Sequence, residues 1–169
     1  MGLGLTARIE AAWTSGGPLA QALRPLGALH AALVALRHRL YRLGWQTSER
    51  LDVPVIVIGN RVVGGAGKTP TTLALVQALR EAGWRPGIVS RGHGGRASAE
   101  GSAPQPVQPD SSAAEVGDEP LLLRRRSGVP LWIGRQRAAA GRALRQAHPE
   151  VDVIVCDDGL QHLRLARDF

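Results

Sequence analysis

Cysteine, lysine and aromatic side chains are scarce in this sequence of 169 residues. The single cysteine, Cys156, excludes an internal disulfide and a cysteine zinc site, and its apolar neighbours favour a buried, inert thiol. Aromatic residues make up 4% of the chain and do not alternate with the arginines, so the stacking surface of a protein that binds single-stranded nucleic acid is missing. The uncharged stretch 25–36 is too short to span a bilayer.

Positive charge is abundant and comes almost entirely from arginine. The net charge is +7, and 20 of the 21 basic residues are arginine, which leaves Lys68 as the only lysine. A charge of this sign favours an anionic partner (a nucleotide, a nucleic acid or an anionic membrane) without choosing among the three. A compact ammonium on a flexible stem suits a triphosphate, which singles out Lys68 as a candidate phosphate ligand.

Lys68 lies in the most informative segment, 53–72, which reads VPVIVIGNRVVGGAGKTPTT. A buried strand, a glycine-rich turn and the start of a helix follow one another here, which is the order found in a phosphate-binding P-loop. We expect Lys68 to reach the β- and γ-phosphates of ATP and the Thr69 hydroxyl to ligate Mg²⁺. The candidate nucleotide-binding residues are Val62, Val63, Gly64, Gly65, Ala66, Gly67, Lys68 and Thr69.

Two valines make this loop unusual. Val62 stands where the strict P-loop pattern has its first glycine, which predicts a longer or differently shaped loop. Val63 stands where the deviant P-loop ATPases that act as membrane-bound switches carry a second lysine, and no other lysine exists to replace it. This absence argues strongly against the deviant ATPase class. That class and a non-catalytic membrane-binding fragment are the two alternatives to a phosphate-transferring enzyme.

The segment 1–50 predicts an amphipathic helical region, separate from a P-loop core over 51–169. Leucines recur at spacings of three and four and mark one apolar helical face, and Pro25 predicts a break that leaves a main helix from Leu26 to Leu43. A basic patch that includes Arg37 and Arg39 follows. Such a helix could lie on an anionic membrane or pack against its own domain, and periodicity alone favours the second arrangement slightly.

The segment 51–169 alternates strand and helix patterns. After the P-loop helix, we expect strands at 85–90, 129–133 and 151–156, and a helix at 135–147 whose arginines face solvent. The basic loop 91–96, RGHGGR, would lie where ligands bind in open α/β sheets, although a plain surface turn is equally compatible. The segment 97–115 is rich in Ala, Ser and Pro, and we expect a mobile loop with little to bury.

Two pairs of carboxylates are candidates for chemistry. Asp118 and Glu119 begin a helix, where acidic residues often serve only as caps or dipole partners. Asp157 and Asp158 follow an apolar strand, which is the arrangement that places a carboxylate beside a P-loop to hold Mg²⁺ or its water.

The blocks VPVIVIGN, GGAGKTP, SRGHGG, GDEPLLL and DDGLQHLRLARD, in this order, resemble the N-terminal half of the tetraacyldisaccharide 4′-kinases. The resemblance implies a P-loop NTPase-like α/β fold with a mostly parallel sheet, and transfer of the ATP γ-phosphate to the 4′-hydroxyl of a lipid A disaccharide precursor. It implies that Asp118 is the general base and that Thr69, Glu119, Asp157 and Asp158 are candidates for holding Mg²⁺ or its water. Gln161 and His162 belong to the same block, with either a local structural role or contact with nucleotide.

The resemblance also carries expectations about location and completeness. An acylated substrate is anchored in the membrane, so the enzyme must act at the membrane surface. We therefore expect a peripheral protein on the cytoplasmic face of the bacterial inner membrane. Its expected partners are the lipid A precursor and the anionic membrane, and no nucleic acid. Members of the family are about twice as long as this chain. We therefore expect the 169-residue chain to be a fragment with weak nucleotide binding and little kinase activity.

Overall fold

A computed structural model describes residues 18–59, 67–98, 102–157, 159 and 164–168. The chain divides into two compact units, Met1–Gln46 and Thr47–Phe169. The sequence predicts a boundary between residues 50 and 51. Val62, Val63, Gly64, Gly65, Ala66, Asp158, Gln161 and His162 lie outside the described residues.

The described residues of the first unit include the helix α1 (Pro18–Arg42). The predicted break at Pro25 is wrong, because the helix continues through this proline and loses only the hydrogen bond that a backbone N–H would donate there. The leucines that follow are exposed on one face at spacings of three and four, namely Leu26, Leu29, Leu33 and Leu36. Within the residues that the structure describes, no helix combines the length and apolar character needed to cross a membrane.

The second unit is a five-stranded sheet with helices on both faces. Its elements in chain order are β1 (Val55–Ile58), α2 (Lys68–Glu81), β2 (Pro86–Ser90), a 3₁₀ turn (Arg96–Ser98), β3 (Gln105–Pro106), α3 (Ala113–Val116), α4 (Asp118–Ser127), β4 (Leu131–Ile133), α5 (Arg137–Ala147) and β5 (Val153–Asp157). The strand order is β1-β5-β2-β4-β3, and only β3 is antiparallel to its neighbour. The predicted mostly parallel α/β fold is confirmed.

The four parallel strands are mostly apolar because both faces of the sheet are covered. In β5, Ile154 and Cys156 point into the layer that includes Leu144 of α5, whereas Val155 points into the opposite layer with Val76 of α2. Alternation along the strand therefore sends consecutive residues to two separate cores. Cys156 is fully buried, as its apolar neighbours predict.

The segment 97–115 contains more structure than its composition predicts. Gln105 and Pro106 pair with β4, and Val107 is only 1% exposed, so the expectation that this segment has little to bury is wrong. Arg124 Nε donates to the carbonyl oxygen of Val107 at 3.1 Å, and Arg125 Nε donates to that of Pro109 at 2.8 Å. Two arginines of α4 thus hold the segment by its backbone, a contact that composition does not reveal.

The arginines of α5 do not all face solvent, which corrects a second expectation. Arg137 is 2% exposed and its Nη1 donates to the carbonyl oxygen of Gly134 at 2.6 Å. Arg145, near the other end of the helix, donates from Nη2 to Asp52 Oδ2 at 2.8 Å and from Nη1 to the Pro149 carbonyl at 2.7 Å. The Arg145 hydrogen bond lowers the pKa of the Asp52 carboxyl.

Candidate functional site

The candidate site lies at the carboxyl edge of the parallel strands, where α2 begins. β1 and β5 end side by side, with Ile58 opposite Asp157. Gly67 precedes α2 in a left-handed conformation (φ 73°), which glycine adopts without strain, and Lys68 is the first residue of the helix. The N–H groups at a helix start are free to bind an anion, so the backbone here presents an anion site beside Lys68.

The first turn of α2 is bonded to the start of α4. Thr69 Oγ1 donates a hydrogen bond of 2.7 Å to Glu119 Oε1, and both side chains are partly buried. The Glu119 carboxylate therefore reaches a hydroxyl on another helix instead of capping its own. This contact brings together two residues that the sequence names as candidate Mg²⁺ ligands.

Asp157 has a different environment from Glu119. It is 1% exposed, and Thr72 Oγ1 lies 3.2 Å from its Oδ1. Ser90 Oγ, at the end of β2, lies 3.5 Å from its Oδ2. Because Thr72 lies one turn after Lys68 in α2, the carboxylate stands beside the helix that carries Lys68.

Asp118 is the first residue of α4 and is exposed. Gly117 precedes it with a φ of 92°, a backbone conformation that favours glycine. The Asp118 carboxylate can therefore meet an incoming molecule without displacing protein atoms. The geometry suits a group that accepts a proton from a bound substrate.

The basic loop 91–96 packs against this same corner. A Cβ on Gly95 would lie 2.4 Å from the carbonyl oxygen of Glu115, and a Cβ on Gly117 would lie 2.5 Å from that of His93. Two glycines thus allow the two backbones to touch. The loop places the exposed side chains of Arg91 and His93 on the segment that contacts the start of α4.

The oxygen donors of the site fit magnesium. Mg²⁺ prefers hard oxygen ligands, keeps several waters and takes one or two carboxylates together with substrate phosphates. Thr69 and Glu119 supply a hydroxyl and a carboxylate in mutual contact, and Asp157 supplies a second carboxylate close to the same helix turn. Within the described part of the chain, no three His, Cys, Asp or Glu side chains gather into an all-protein metal site.

Sequence reasoning missed Thr72, Ser90 and the burial of Arg137. Thr72 follows Thr69 by three residues, a spacing that puts two side chains on one face of a helix, so a signal for Thr72 was present. The only sequence signal for Ser90 was its position at the end of the predicted strand that became β2. The burial of Arg137 depends on how α5 docks against the sheet, which periodicity does not determine.

Comparison with known proteins decides the family. A model of the tetraacyldisaccharide-1-P 4′-kinase family, LpxK, matches residues 19–169. The chain belongs to this family. A relative in Leptothrix cholodnii named tetraacyldisaccharide 4′-kinase is 65% identical over 164 residues, which are 97% of this chain and 46% of the relative. One of the same name in Acidovorax sp. strain JS42 is 59% identical over 98% of this chain and 48% of its own length.

A solved structure of the LpxK family has the same fold. LpxK from Aquifex aeolicus, crystallised in complex with ATP, aligns with a TM-score of 0.78 and 31% sequence identity. The alignment covers 89% of this chain and 47% of that protein. The chain therefore spans about half the length of the curated and solved LpxK relatives that it matches.

Proposed function

We propose that this chain binds ATP and Mg²⁺ at the carboxyl edge of its sheet and forms the nucleotide-binding part of a tetraacyldisaccharide 4′-kinase. The reaction is transfer of the γ-phosphate to the 4′-hydroxyl of a tetraacyl glucosamine disaccharide 1-phosphate, the lipid A precursor. The hydrogen bond from Thr69 to Glu119 carries the proposal, because it joins the P-loop helix to the helix that begins with Asp118. The hydrogen bond thereby connects the helix that carries the phosphate-binding Lys68 to the helix that carries the proposed base Asp118.

Each side chain has a role that follows from its position. Lys68 and the N–H groups at the start of α2 bind the β- and γ-phosphates as anions. Asp118 accepts the proton of the 4′-hydroxyl as that oxygen attacks the γ-phosphorus; the new O–P bond forms while the bond from the γ-phosphorus to ADP breaks. The exposed carboxylate of Asp118 suits this transfer because the acceptor sugar must approach it from solvent or membrane.

Thr69 and Glu119 would hold Mg²⁺, with Asp157 and Asp158 available to ligate it or orient its waters. When bound, the cation neutralises charge that develops on the phosphate oxygens. Glu119 accepts the hydrogen of the Thr69 hydroxyl, which leaves the lone pairs of that oxygen for a cation. The hydrogen bond to Glu119 thus orients the Thr69 hydroxyl oxygen as a ligand at the start of α2.

The relatives are about twice as long, so turnover needs more than these residues supply. We expect the 169-residue chain to bind ATP weakly and to transfer little phosphate. Turnover by this chain equal to that of a full-length relative would contradict the proposal that it holds only part of the active site.

The exposed leucine face of α1 supports a peripheral location on an anionic membrane. Leu26 and Leu29 are 64% and 57% exposed, and Arg24 and Arg37 lie on the same helix. Leucine on one face with arginine nearby is the composition of helices that lie in the headgroup region of anionic bilayers. We propose that α1 brings the chain to the cytoplasmic face of the inner membrane, where the acylated substrate is held.

ATP titration of the 169-residue chain and its Lys68→Ala variant tests the nucleotide site. We expect the substitution to abolish measurable ATP binding, whereas Asp118→Ala should leave it unchanged. Arg85→Ala is the matched control, since it removes an exposed cation at the opposite edge of the sheet. Equal losses in Lys68→Ala and Arg85→Ala would show that general charge, not a phosphate site, attracts the nucleotide.

Vesicle sedimentation tests the membrane proposal separately. The chain should bind vesicles of phosphatidylglycerol and phosphatidylcholine, and replacing Leu29 and Leu33 together by Glu should release it. Replacing Glu81 and Glu115 together by Gln is the control, because it alters two exposed carboxylates outside α1. Vesicle binding that survives the leucine substitutions would rule out α1 as the membrane contact.

A further inference from the structure

The burial of Asp157 requires partners for its carboxylate. An ionised carboxylate removed from water is costly unless hydrogen-bond donors face it. Thr72 Oγ1 lies 3.2 Å from Asp157 Oδ1, and Ser90 Oγ lies 3.5 Å from Oδ2, at the long end of hydrogen-bonding distance. Hydroxyls from α2 and from the end of β2 thus face the two oxygens of one carboxylate.

Thr72 and Thr69 fasten the same helix turn to two different elements. The two threonines are three residues apart and share a helix face. Thr69 is bonded to Glu119 of α4, and Thr72 to Asp157 of β5. The helix start that presents Lys68 is therefore fixed in position by two carboxylates rather than by the sheet alone.

Thr71 shows that this attachment is specific to the position. Its hydroxyl donates to the carbonyl oxygen of Gly67 at 2.8 Å and faces solvent. Thr72 Oγ1 also lies 3.0 Å from the carbonyl oxygen of Lys68, four residues before it. A hydroxyl has one hydrogen to give, so the Lys68 carbonyl and the Asp157 carboxyl share Thr72 as a donor, and only the contact with Asp157 reaches another element.

We propose that Thr72 is a positioning residue of the nucleotide site, with Ser90 as its weaker counterpart. Thr72 holds the Asp157 carboxylate at a fixed distance from the start of α2 and so fixes what Asp157 offers to Mg²⁺ or its water. The inference rests on the proposed function, since the position of Asp157 matters to ATP only if the nucleotide and its cation bind here. Thr72 itself is fully buried, so it acts through the Asp157 carboxylate.

The test measures how much Mg²⁺ strengthens ATP binding. ATP is titrated into the 169-residue chain with Mg²⁺ and with EDTA, for the unmodified protein, Thr72→Val, Thr72→Ser and Thr71→Val. Loss of a residue that orients a metal ligand lowers metal affinity about 10–100-fold, so the gain from Mg²⁺ should fall at least about tenfold in Thr72→Val. Affinity for metal-free ATP should stay unchanged, and Thr72→Ser and Thr71→Val should keep the full gain.

Two results overturn the inference. A gain from Mg²⁺ that is unchanged in Thr72→Val shows that Thr72 does not position the carboxylate. Equal losses with Mg²⁺ and with EDTA show a general structural role only.

Failure of the proposed function gives a different result, because the unmodified chain then binds no ATP under either condition. Amide hydrogen exchange of residues 69–73 still reports on the contact in that case. Faster exchange in Thr72→Val than in Thr71→Val supports the bond to Asp157, and equal exchange overturns it.

Discussion

Thr69 Oγ1 and Glu119 Oε1 lie 2.7 Å apart although 50 residues separate them in the chain. The bond links the first turns of α2 and α4, the two helices that carry the candidate phosphate ligand Lys68 and the candidate base Asp118. Hydroxyl and carboxylate are both hard oxygen ligands of the kind that Mg²⁺ prefers. The contact is a structural link between the two helices, and we propose that its oxygens also hold the cation.

Glu119→Gln should weaken the binding of ATP with Mg²⁺ about tenfold while leaving metal-free ATP binding as it is, since the amide keeps the shape but loses the charge that holds the cation. Titration calorimetry with Mg²⁺ and with EDTA measures both affinities. Glu115→Gln is the control, because this exposed carboxylate lies in the short helix just before α4. A similar loss in the control would remove Glu119 from the proposed ligands.

Arg145→Ala should lower the free energy of unfolding by about 1.5–3 kcal/mol, the usual range for hydrogen bonds to a charged group. The guanidinium, with 18% of the side chain exposed, bonds the carboxylate of Asp52 and the carbonyls of Pro149 and Val151, which follow α5. Arg142→Ala is the control on the same helix: its exposed ion pair with Glu49 should be worth less than about 1 kcal/mol. Urea unfolding measures the free energy of unfolding of both variants. Equal losses of stability in the two variants would contradict this prediction.

Gly95→Ala should destabilise the protein by about 3 kcal/mol, because the new methyl group would overlap backbone atoms that cannot rotate away. It would lie 2.4 Å from the Glu115 carbonyl oxygen and 2.6 Å from the Gly117 nitrogen. Gly94→Ala meets open space and carries only the strain of a positive φ, about 1 kcal/mol. Thermal unfolding measures the loss of stability in each variant. The rate of amide hydrogen exchange at residues 115–118 should rise only in Gly95→Ala. Equal exchange in both would contradict the packing of the loop on this corner.

Asp168 should make stability depend on pH in the acid range. The backbone N–H of Val55, at 3.0 Å, and then Arg50, at 2.6 Å, lower the pKa of this carboxyl. A lowered pKa means that the stabilisation is fully present above the unfolded value, near pH 4, and is lost as pH falls through the lower folded value. Melting temperatures of the unmodified protein should therefore fall more steeply below pH 4 than those of Asp168→Asn. Parallel curves would contradict this.

The parallel core could be predicted because its signals are local. The apolar runs predict β2 and β5, and a glycine-rich turn followed by an apolar face predicts α2; the observed bounds Pro86–Ser90, Val153–Asp157 and Lys68–Glu81 agree closely. Strand order and the pairing of Ile58 with Asp157 needed the structure. The order of the strands depends on which face of the sheet each helix covers, and no single sequence segment contains that information.

The missed features depend on distant contacts. β3 is only two residues long and exists because it pairs with β4, whereas the composition of the surrounding segment 97–115, rich in Ala, Ser and Pro, predicts a loop. Pro25 lies within α1 because the remaining backbone hydrogen bonds outweigh the one it removes. Thr72 shares a helix face with Thr69, but its contact with Asp157 depends on where β5 lies, which the sequence around Thr72 does not determine.

The position of the only lysine has a practical consequence. Lys68 is partly buried at the first residue of α2, inside the proposed phosphate site, and no second lysine exists elsewhere in the sequence. Reagents that acylate primary amines therefore have one side-chain target besides the amino terminus. The mass added at that peptide reports directly on whether the site is occupied, so the unmodified protein carries its own reporter group for nucleotide protection.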